Sequence, residues 1–254
     1  MRTENLDGVL LTREAGVATV TLNAPERRNA LDRAAAVALS EACEVVDADA
    51  EIGAVVIRGA GGYFCSGGDR TMLAKAGRSP TGADEFATMT DVYASFRRVG
   101  ALEPPTIAAI RGGAVGAGLN LALATDLRIV ARDAALTSGF MRLGLQPGGG
   151  HGVLLARNGG NEATAALTMF GERMDGERAA ELGFAWEALA DEEVEDRALE
   201  LAAVPAGDPE LARRTARTVR LETGGRGSDW DAALELERTG QMWSMHRKHL
   251  TGGE

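Results

Sequence analysis

Two glycine-rich segments, each placed directly after an apolar run, constrain this chain more than any other feature. Residues 64–69 follow the apolar run 54–57, and residues 112–120 follow the apolar run 106–110. Short apolar runs bounded by glycine are typical of buried strands. Glycine at a strand end lets the backbone approach a ligand closely and aim its N–H groups. The sequence therefore predicts two buried strands, each followed by a turn suited to ligand binding.

Backbone N–H groups in two such turns can together bind one carbonyl oxygen of a ligand. When two of them converge on one carbonyl oxygen, they form an oxyanion hole that stabilises negative charge on that oxygen. The donors belong to the backbone, so the turns need permissive geometry and no particular side chain. An oxyanion hole defines a class of reaction intermediate without naming the reaction.

The rest of the pattern alternates strands and helices at first and is mostly helical later. A hairpin is predicted around Glu14, Ala15 and Gly16, and Asp32 is predicted to cap a helix reaching residue 50. Further strands are predicted at 126–131 and 184–187, and loops are predicted around Gly77, Pro80 and Gly82 and at 224–228. The other predicted helices are 84–98, a short one from 116, 153–157, 162–170, 176–182, 192–203, 209–221 and 229–248. This order indicates an α/β core at 1–190 and a helical C-terminal region at 191–254.

Composition excludes several classes of function. The formal net charge is −10, which argues against nucleic acid as a partner, because phosphate binding needs a basic surface. No apolar run approaches the ~18–20 residues that span a bilayer, and the N-terminus does not resemble a signal peptide. Cys43 and Cys65 form no metal-binding or redox pair motif. We therefore expect an acidic cytoplasmic protein without a metal site or a membrane partner.

Five motifs in this order resemble the crotonase superfamily, also called the enoyl-CoA hydratase/isomerase family. The motifs lie at residues 24–31, 64–69, 112–126, 143–150 and 179–183, and the resemblance extends from about residue 9 to residue 248. It implies an α/β fold, a crotonase-like spiral of ββα repeats with a C-terminal helical trimerisation region, 191–254, that completes the site and the trimer. It also implies a homotrimer or a dimer of trimers. The substrate would be an acyl-CoA thioester, and no cofactor is expected because coenzyme A is part of that substrate.

The resemblance also assigns site residues by motif position. It gives the oxyanion-hole amides to Gly68 and Ala117. It places coenzyme A along the first loop and the first glycine segment. The substrate-binding candidates there are Arg27, Arg28, Ala30, Ser66, Gly67, Asp69 and Arg70. Asp69 is in addition predicted to stabilise its own turn.

The chain departs from the family pattern at the two positions that matter for hydration. A hydratase of this family uses two glutamates to activate water and move a proton, and here Asn120 and Phe140 stand in their places. Asn is no general base at neutral pH, although its amide can orient a ligand, and Phe can do neither. Both remain candidate substrate contacts. Hydration by the two-glutamate route is not expected.

His151 is the candidate acid–base group that remains. It follows three glycines at a predicted helix start, where the helix dipole lowers the pKa of an imidazole and favours its neutral form. A structural role in the turn or in the pocket wall is the competing interpretation. We expect an acyl-CoA-binding protein with an intact oxyanion hole and chemistry other than standard hydration. The alternatives are a non-catalytic acyl-CoA binder or carrier, and a decarboxylase, isomerase or thioester hydrolase of the family.

Overall fold

The strands divide between two sheets in a computed structural model that describes residues 1–223 and 228–251. The larger sheet has seven strands, and the smaller sheet has three. In spatial order the larger sheet contains β1 (Arg2–Leu6), β2 (Val9–Glu14), β3 (Val17–Leu22), β4 (Ala54–Gly59), β5 (Thr106–Ile110), β7 (Leu127–Ala131) and β10 (Glu187–Leu189). The smaller sheet contains β6 (Gly113–Val115), β8 (Ala135–Thr137) and β9 (Arg173–Met174).

From β5 to β8, successive strands alternate between the two sheets, and this alternation generates a repeat. Strand β5 lies in the larger sheet and β6 in the smaller one, and the helix α4 (Ala117–Leu123) follows. Strands β7 and β8 repeat this placement before the helix α5 (His151–Thr168). The segment after β4 has the same placement, because Cys65 forms a parallel bridge with Ala114 of β6 in the smaller sheet. The chain is thus built from ββα repeats, as predicted.

The remaining helices cover the sheets and form most of the C-terminal part. They are α1 (Arg33–Ala48), α2 (Arg70–Arg78), α3 (Ala83–Gly100), α6 (Gly176–Glu181), α7 (Val194–Ala206), α8 (Pro209–Glu222) and α9 (Ser228–Leu250). The Asp32 carboxylate accepts a hydrogen bond from the Ala35 N–H at 2.9 Å. This bond satisfies one of the backbone donors left free at a helix start. The predicted N-cap and the hairpin of β2 and β3 are both confirmed.

Three elements differ from the sequence prediction for identifiable reasons. Gly77 indicated a loop, but it lies within α2, where a Cβ would come 2.6 Å from the carbonyl oxygen of Met245 on α9. The glycine therefore permits close helix packing. Strand β1 was not predicted, because its polar side chains suit an exposed edge strand. The segment predicted as a strand from residue 184 enters the sheet only at Glu187.

Helix α5 joins two segments that were predicted as separate helices. Gly160 interrupts it with a φ of +79°, and this is the left-handed region that glycine adopts most readily. Among the described residues, no helix is long and apolar enough to cross a membrane. The loop predicted at 224–228 falls, apart from Ser228, outside the described residues. The division at residue 190 stays a prediction.

Candidate functional site

The two glycine-rich segments lie side by side because the parallel bridge joins them. The Cys65 N–H donates to the Gly113 carbonyl at 3.2 Å, and the Val115 N–H donates to the Cys65 carbonyl at 3.0 Å. Gly67 has a φ of +101°, and a Cβ there would lie 2.7 Å from the Val115 oxygen. A Cβ on Gly118 would overlap the Cys65 carbonyl oxygen. Glycine is needed at both positions for the loops to approach this closely.

Gly68 and Ala117 border one cavity, and among the described residues their backbone N–H groups have no acceptor. Both residues line that cavity. Within residues 1–223 and 228–251, neither N–H donates a hydrogen bond to another group of the chain. Ala117 is the first residue of α4, where a backbone N–H has no partner inside the helix. Two free donors in one cavity are the arrangement that an oxyanion hole requires.

The cavity around these amides is neutral. Its polar side chains, among the residues that the structure describes, are those of Ser66, Tyr93, Ser138 and Gln241, and none of its described lining residues is Asp or Glu. The Tyr93 hydroxyl hydrogen-bonds to the Gln241 side-chain oxygen, which ties α3 to α9. Burial raises the pKa of the Tyr93 hydroxyl, so it remains protonated. The cavity therefore offers donors for a carbonyl oxygen but no carboxylate for proton transfer.

Asn120, Ser138, Phe140 and His151 form a cluster beside the cavity, which we call the neutral cluster. The His151 Nδ1 lies 2.6 Å from the Asn120 Oδ1, and its Nε2 lies 2.9 Å from the Ser138 Oγ. The Asn120 Nδ2 donates to the Gly148 carbonyl at 2.9 Å. The Phe140 ring meets the imidazole edge-on at a centroid distance of 5.0 Å. Ser138 and Phe140 line the cavity, whereas the other two members lie behind them.

Burial determines the charge of His151. The residue is fully buried, and desolvation lowers the pKa of its imidazole to about 3. Since no carboxylate pairs with the ring, the neutral form persists at physiological pH. Asn120 is also fully buried, and its amide is engaged within the fold. The two residues predicted to meet substrate or move its proton thus lie one layer away from the cavity.

The C-terminal helix α9 fixes the start of α5, and with it the position of His151. The Glu237 carboxylate accepts from the N–H groups of Gly150 at 2.8 Å and His151 at 3.0 Å. Burial raises the pKa of the Glu237 carboxyl, while those N–H groups favour its charged form. The Trp230 indole N–H donates to the Gly149 carbonyl at 3.3 Å. The C-terminal region therefore positions residues of the site through direct contacts.

The first loop lies against the first glycine segment. The Leu31 N–H donates to the Gly67 carbonyl, and the Ser66 N–H donates to the Arg28 carbonyl, at 2.8 and 3.0 Å. This pairing brings the predicted coenzyme A residues of the two segments together, with Ala30 buried between them. The Arg27 guanidinium is held by Asp32 at 2.5 Å, and the Arg28 guanidinium lies 5.5 Å from the centre of the Tyr63 ring.

Asp69 and Arg70 lie at the start of α2. The Asp69 carboxylate accepts from the Met72 N–H at 3.0 Å and therefore caps the helix, as the turn-stabilising prediction requires. Arg70 lines a second, outer cavity of ≈ 360 Å³ together with Lys248 and His249. The inner and outer cavities share Leu73, Leu143 and Leu145. The neutral inner cavity and the basic outer cavity therefore adjoin, and together we call them the channel.

The sequence did not identify three polar residues of the cavity. Ser138 had no motif to mark it, because its role depends on a contact with a residue thirteen positions away. Tyr93 and Gln241 are 148 positions apart and meet only through packing of α3 and α9. Two internal positions on separate helices carry no sequence signal for such a pair.

Comparisons with known proteins agree with this architecture. The family model for enoyl-CoA hydratase/isomerase matches residues 12–239. A probable enoyl-CoA hydratase of Mycobacterium tuberculosis, EchA14, is 39% identical over 91% of this chain and 86% of its own length. The 1,2-epoxyphenylacetyl-CoA isomerase of Escherichia coli K12 is 34% identical over 89% of this chain and 85% of its own.

Solved structures of other proteins also resemble this fold. The crystal structure of an enoyl-CoA hydratase/isomerase from Xanthobacter autotrophicus Py2 has a TM-score of 0.84 at 30% identity, with 98% of this chain and 96% of that chain covered. The two chains therefore share their fold over nearly their whole lengths. The chain belongs to the enoyl-CoA hydratase/isomerase family of the crotonase superfamily.

Proposed function

We propose that this protein binds an acyl-CoA thioester and stabilises negative charge on its carbonyl oxygen. The free N–H groups of Gly68 and Ala117 in one cavity are the observation that carries this proposal. A thioester is acidic at its α-carbon, and both an enolate and a tetrahedral adduct place charge on the carbonyl oxygen. Each donor of such a hole contributes ~10²–10³ to the rate. Coenzyme A belongs to the substrate in this proposal and is not a separate cofactor.

The channel supports a long, anionic ligand. In a chain with a formal net charge of −10, Arg70 and Lys248 place positive charge on the outer cavity. Such a concentration of positive charge attracts phosphate or carboxylate groups. The inner cavity is lined mainly by apolar side chains, which suit the acyl part near the thioester. The predicted contacts of the first loop, Arg27, Arg28 and Ala30, would lie along the coenzyme A part.

We further propose that hydration by two carboxylates is not the reaction. The described lining of the inner cavity contains no carboxylate, and Asn120 and Phe140 stand where the resemblance places the two glutamates. Each positioned acid or base typically contributes ~10²–10⁴ to a rate. Isomerisation, decarboxylation and thioester hydrolysis use the same hole with other proton paths. Decarboxylation is the least demanding of them, since loss of carbon dioxide itself produces the enolate.

The neutral cavity also favours a second candidate function, that of a non-catalytic acyl-CoA binder or carrier. A carrier needs the channel and the two N–H donors but no proton-transfer group. A screen of acyl-CoA thioesters by mass spectrometry, scoring bound ligand and product, separates the two functions. Product formed above the protein-free rate selects an enzyme, whereas bound ligand without product selects a carrier.

Calorimetry tests the binding proposal directly. We expect a non-hydrolysable thioether analogue of butyryl-CoA to bind more tightly than coenzyme A alone. Absence of any heat of binding from both would contradict the proposed function. In parallel, crotonyl-CoA is followed through the loss of its enoyl-thioester absorbance. Rapid hydration would contradict the inference drawn from Asn120 and Phe140.

We propose a homotrimer, or a dimer of trimers, as the working assembly. Phe170, Trp186 and Met169 are 78%, 67% and 64% exposed, and large apolar side chains on a surface mark interaction sites when they cluster. Sedimentation equilibrium measures the mass directly. A monomer at micromolar concentration would contradict this assembly.

A further inference from the structure

The hydrogen bonds of the neutral cluster determine where the hydrogens lie. The Asn120 Nδ2 donates to the Gly148 carbonyl, so its Oδ1 is the atom that faces the His151 Nδ1. An amide oxygen only accepts, so the single N–H of the neutral imidazole must be on Nδ1. The Nε2 then carries a lone pair and accepts from the Ser138 hydroxyl at 2.9 Å. The Ser138 proton consequently points at His151, away from the cavity.

This order of groups is that of an activated nucleophile. A hydroxyl bonded to a neutral imidazole, whose other nitrogen is oriented by a third side chain, is the arrangement used for nucleophilic catalysis. Asn is a known orienting group in such sets, beside the histidine of some cysteine enzymes. Ser138 lines the same cavity as Gly68 and Ala117, so the serine and the two proposed oxyanion-hole donors border one space.

Other polar groups of the cavity do not share this arrangement. The Ser66 hydroxyl donates to the Arg27 carbonyl at 3.2 Å, and no imidazole lies beside it. The Tyr93 hydroxyl is paired with Gln241. Cys65 is fully buried, and desolvation raises the pKa of its thiol to about 12, so it supplies no thiolate. Ser138 is therefore the nucleophile that the described cavity offers.

We propose that Ser138 is a catalytic nucleophile that takes the acyl group from an acyl-CoA thioester, with His151 as its base and Asn120 as the orienting residue. This proposal rests on the proposed function and deepens it, because it selects thioester hydrolysis among the reactions that the hole could serve. The substrate class is an acyl-CoA whose carbonyl oxygen lies between the Gly68 and Ala117 amides.

The steps balance with water as the only co-reactant. The Ser138 oxygen forms a bond to the thioester carbon while its proton passes to the His151 Nε2. The carbonyl electron pair becomes an oxyanion held by the two amides. Collapse breaks the carbon–sulfur bond, and the His151 proton goes to the departing thiolate, which leaves an acyl ester on Ser138.

Deacylation repeats the sequence with water. The water oxygen attacks the ester carbon, one water proton passes to the His151 Nε2, and the carbon–oxygen bond to Ser138 then breaks. The proton returns to the Ser138 oxygen, and the products are a carboxylic acid and free coenzyme A. Burial lowers the pKa of the His151 imidazole, and the uncharged Asn120 stabilises the imidazolium less than a carboxylate would. Proton transfer to the His151 Nε2 is therefore unfavourable, and we expect slow turnover.

The test follows acyl transfer from butyryl-CoA on the full chain. Free coenzyme A is quantified by liquid chromatography, and a butyryl adduct is located by peptide mass spectrometry. We expect Ser138→Ala to lower coenzyme A release ~10²-fold or more and to carry no adduct. Ser95→Ala is the matched control, because Ser95 is also a buried serine but is not among the described residues that line the cavity. Its hydroxyl donates to a backbone carbonyl, that of Val92, and not to an imidazole.

A second variant keeps the test decisive when the ester is too short-lived to detect. Ser138→Cys places a thiol at the same position, and we expect a butyryl thioester to accumulate on it. Release at the protein-free rate from the wild type overturns the proposal, and so does release that survives Ser138→Ala. A third result also overturns the proposal. In it, coenzyme A release is lost in Ser138→Ala, but Ser138→Cys carries no butyryl group. If calorimetry still records binding of the thioether analogue, the proposed function stands although the nucleophile fails.

Discussion

The glycine-rich segments 64–69 and 112–120, which we call the oxyanion loops, and the neutral cluster border the same cavity. The loops contribute backbone atoms to it, whereas the neutral cluster contributes side chains. The loops supply backbone N–H groups, and glycine at Gly67 and Gly118 permits the required approach. The neutral cluster supplies side chains, and its members include the two positions where the family resemblance places glutamates. Side-chain chemistry can change by single substitutions while backbone geometry is retained. We infer that the backbone geometry determines which charged intermediate the cavity stabilises, and that the side chains determine the route by which a proton is transferred.

The largest expected effect comes from removing one backbone donor. Ala117→Pro deletes an N–H of the hole at the first position of α4, where proline is well tolerated in a helix. We expect turnover of the preferred acyl-CoA to fall by ~10²–10³, about 3–4 kcal/mol in the barrier. Steady-state kinetics measure it. Ala117→Gly retains the donor and serves as the control, and equal rates for the two variants would show that this amide does not act on the oxyanion.

The second prediction concerns the neutral cluster and the pH dependence of stability. The folded protein holds the pKa of His151 at about 3, below the ordinary value of 6.5. Between these values the unfolded chain binds the proton more strongly, so the free energy of unfolding decreases as the pH falls through the window. The slope attributable to His151 is about 1.4 kcal/mol per pH unit, or roughly 3 kcal/mol from pH 6.5 to pH 4.

Denaturant unfolding at several pH values measures that slope. His151→Gln lacks the titrating group, so its stability should vary less with pH than that of the wild type across this window. Other acidic groups are common to both proteins and cancel in the difference. Parallel stability profiles would mean that His151 is solvated and that the neutral cluster is open to water.

The difference between local backbone features and clustered side chains also explains which parts of the site could be predicted from the sequence. The glycine turns and their preceding apolar runs were sufficient to predict β4, β5 and the turn after each, because the signal is local. The assignment of an oxyanion hole to these turns stays a prediction. The neutral cluster was only partly predictable. The sequence indicated a neutral His151, but burial among Asn120 and Ser138 depends on contacts across 31 and 13 positions. A single sequence contains no direct record of such contacts.

Helix α2 shows the same limitation in the fold. Gly77 predicted a loop on local grounds, but the close approach of α9 is the reason for the glycine. The N-cap at Asp32 was correct because capping involves residues three positions apart. Local hydrogen bonding can therefore be inferred from sequence, whereas a glycine retained for tertiary packing resembles a glycine retained for a turn.

A third prediction tests the backbone side of the comparison through its packing. Gly118→Ala introduces a methyl group against the Cys65 carbonyl, so the loops must separate. We expect a loss of ~1–3 kcal/mol in the free energy of unfolding, as for overpacked interiors. Thermal and denaturant unfolding measure the loss. Gly68→Ala is the matched control for stability, since its methyl group would meet Leu73 and Met72 at 3.5 Å, an ordinary contact. Equal stabilities would show that the loops yield to the methyl group.

The smallest expected effect concerns Asp69, which follows Gly68 and caps the start of helix α2. The Asp69 carboxylate accepts from the Met72 N–H and lies 4.0 Å from the Arg27 guanidinium. Asp69→Ala removes both interactions, and loss of such a cap costs about 1 kcal/mol of unfolding free energy. Asp69→Asn restores the cap without the charge, so most of the stability should return. If Asp69→Asn is as unstable as Asp69→Ala, the charge toward Arg27 supplies the stability. The start of α2 would then depend on an ion pair between the first loop and the first glycine segment.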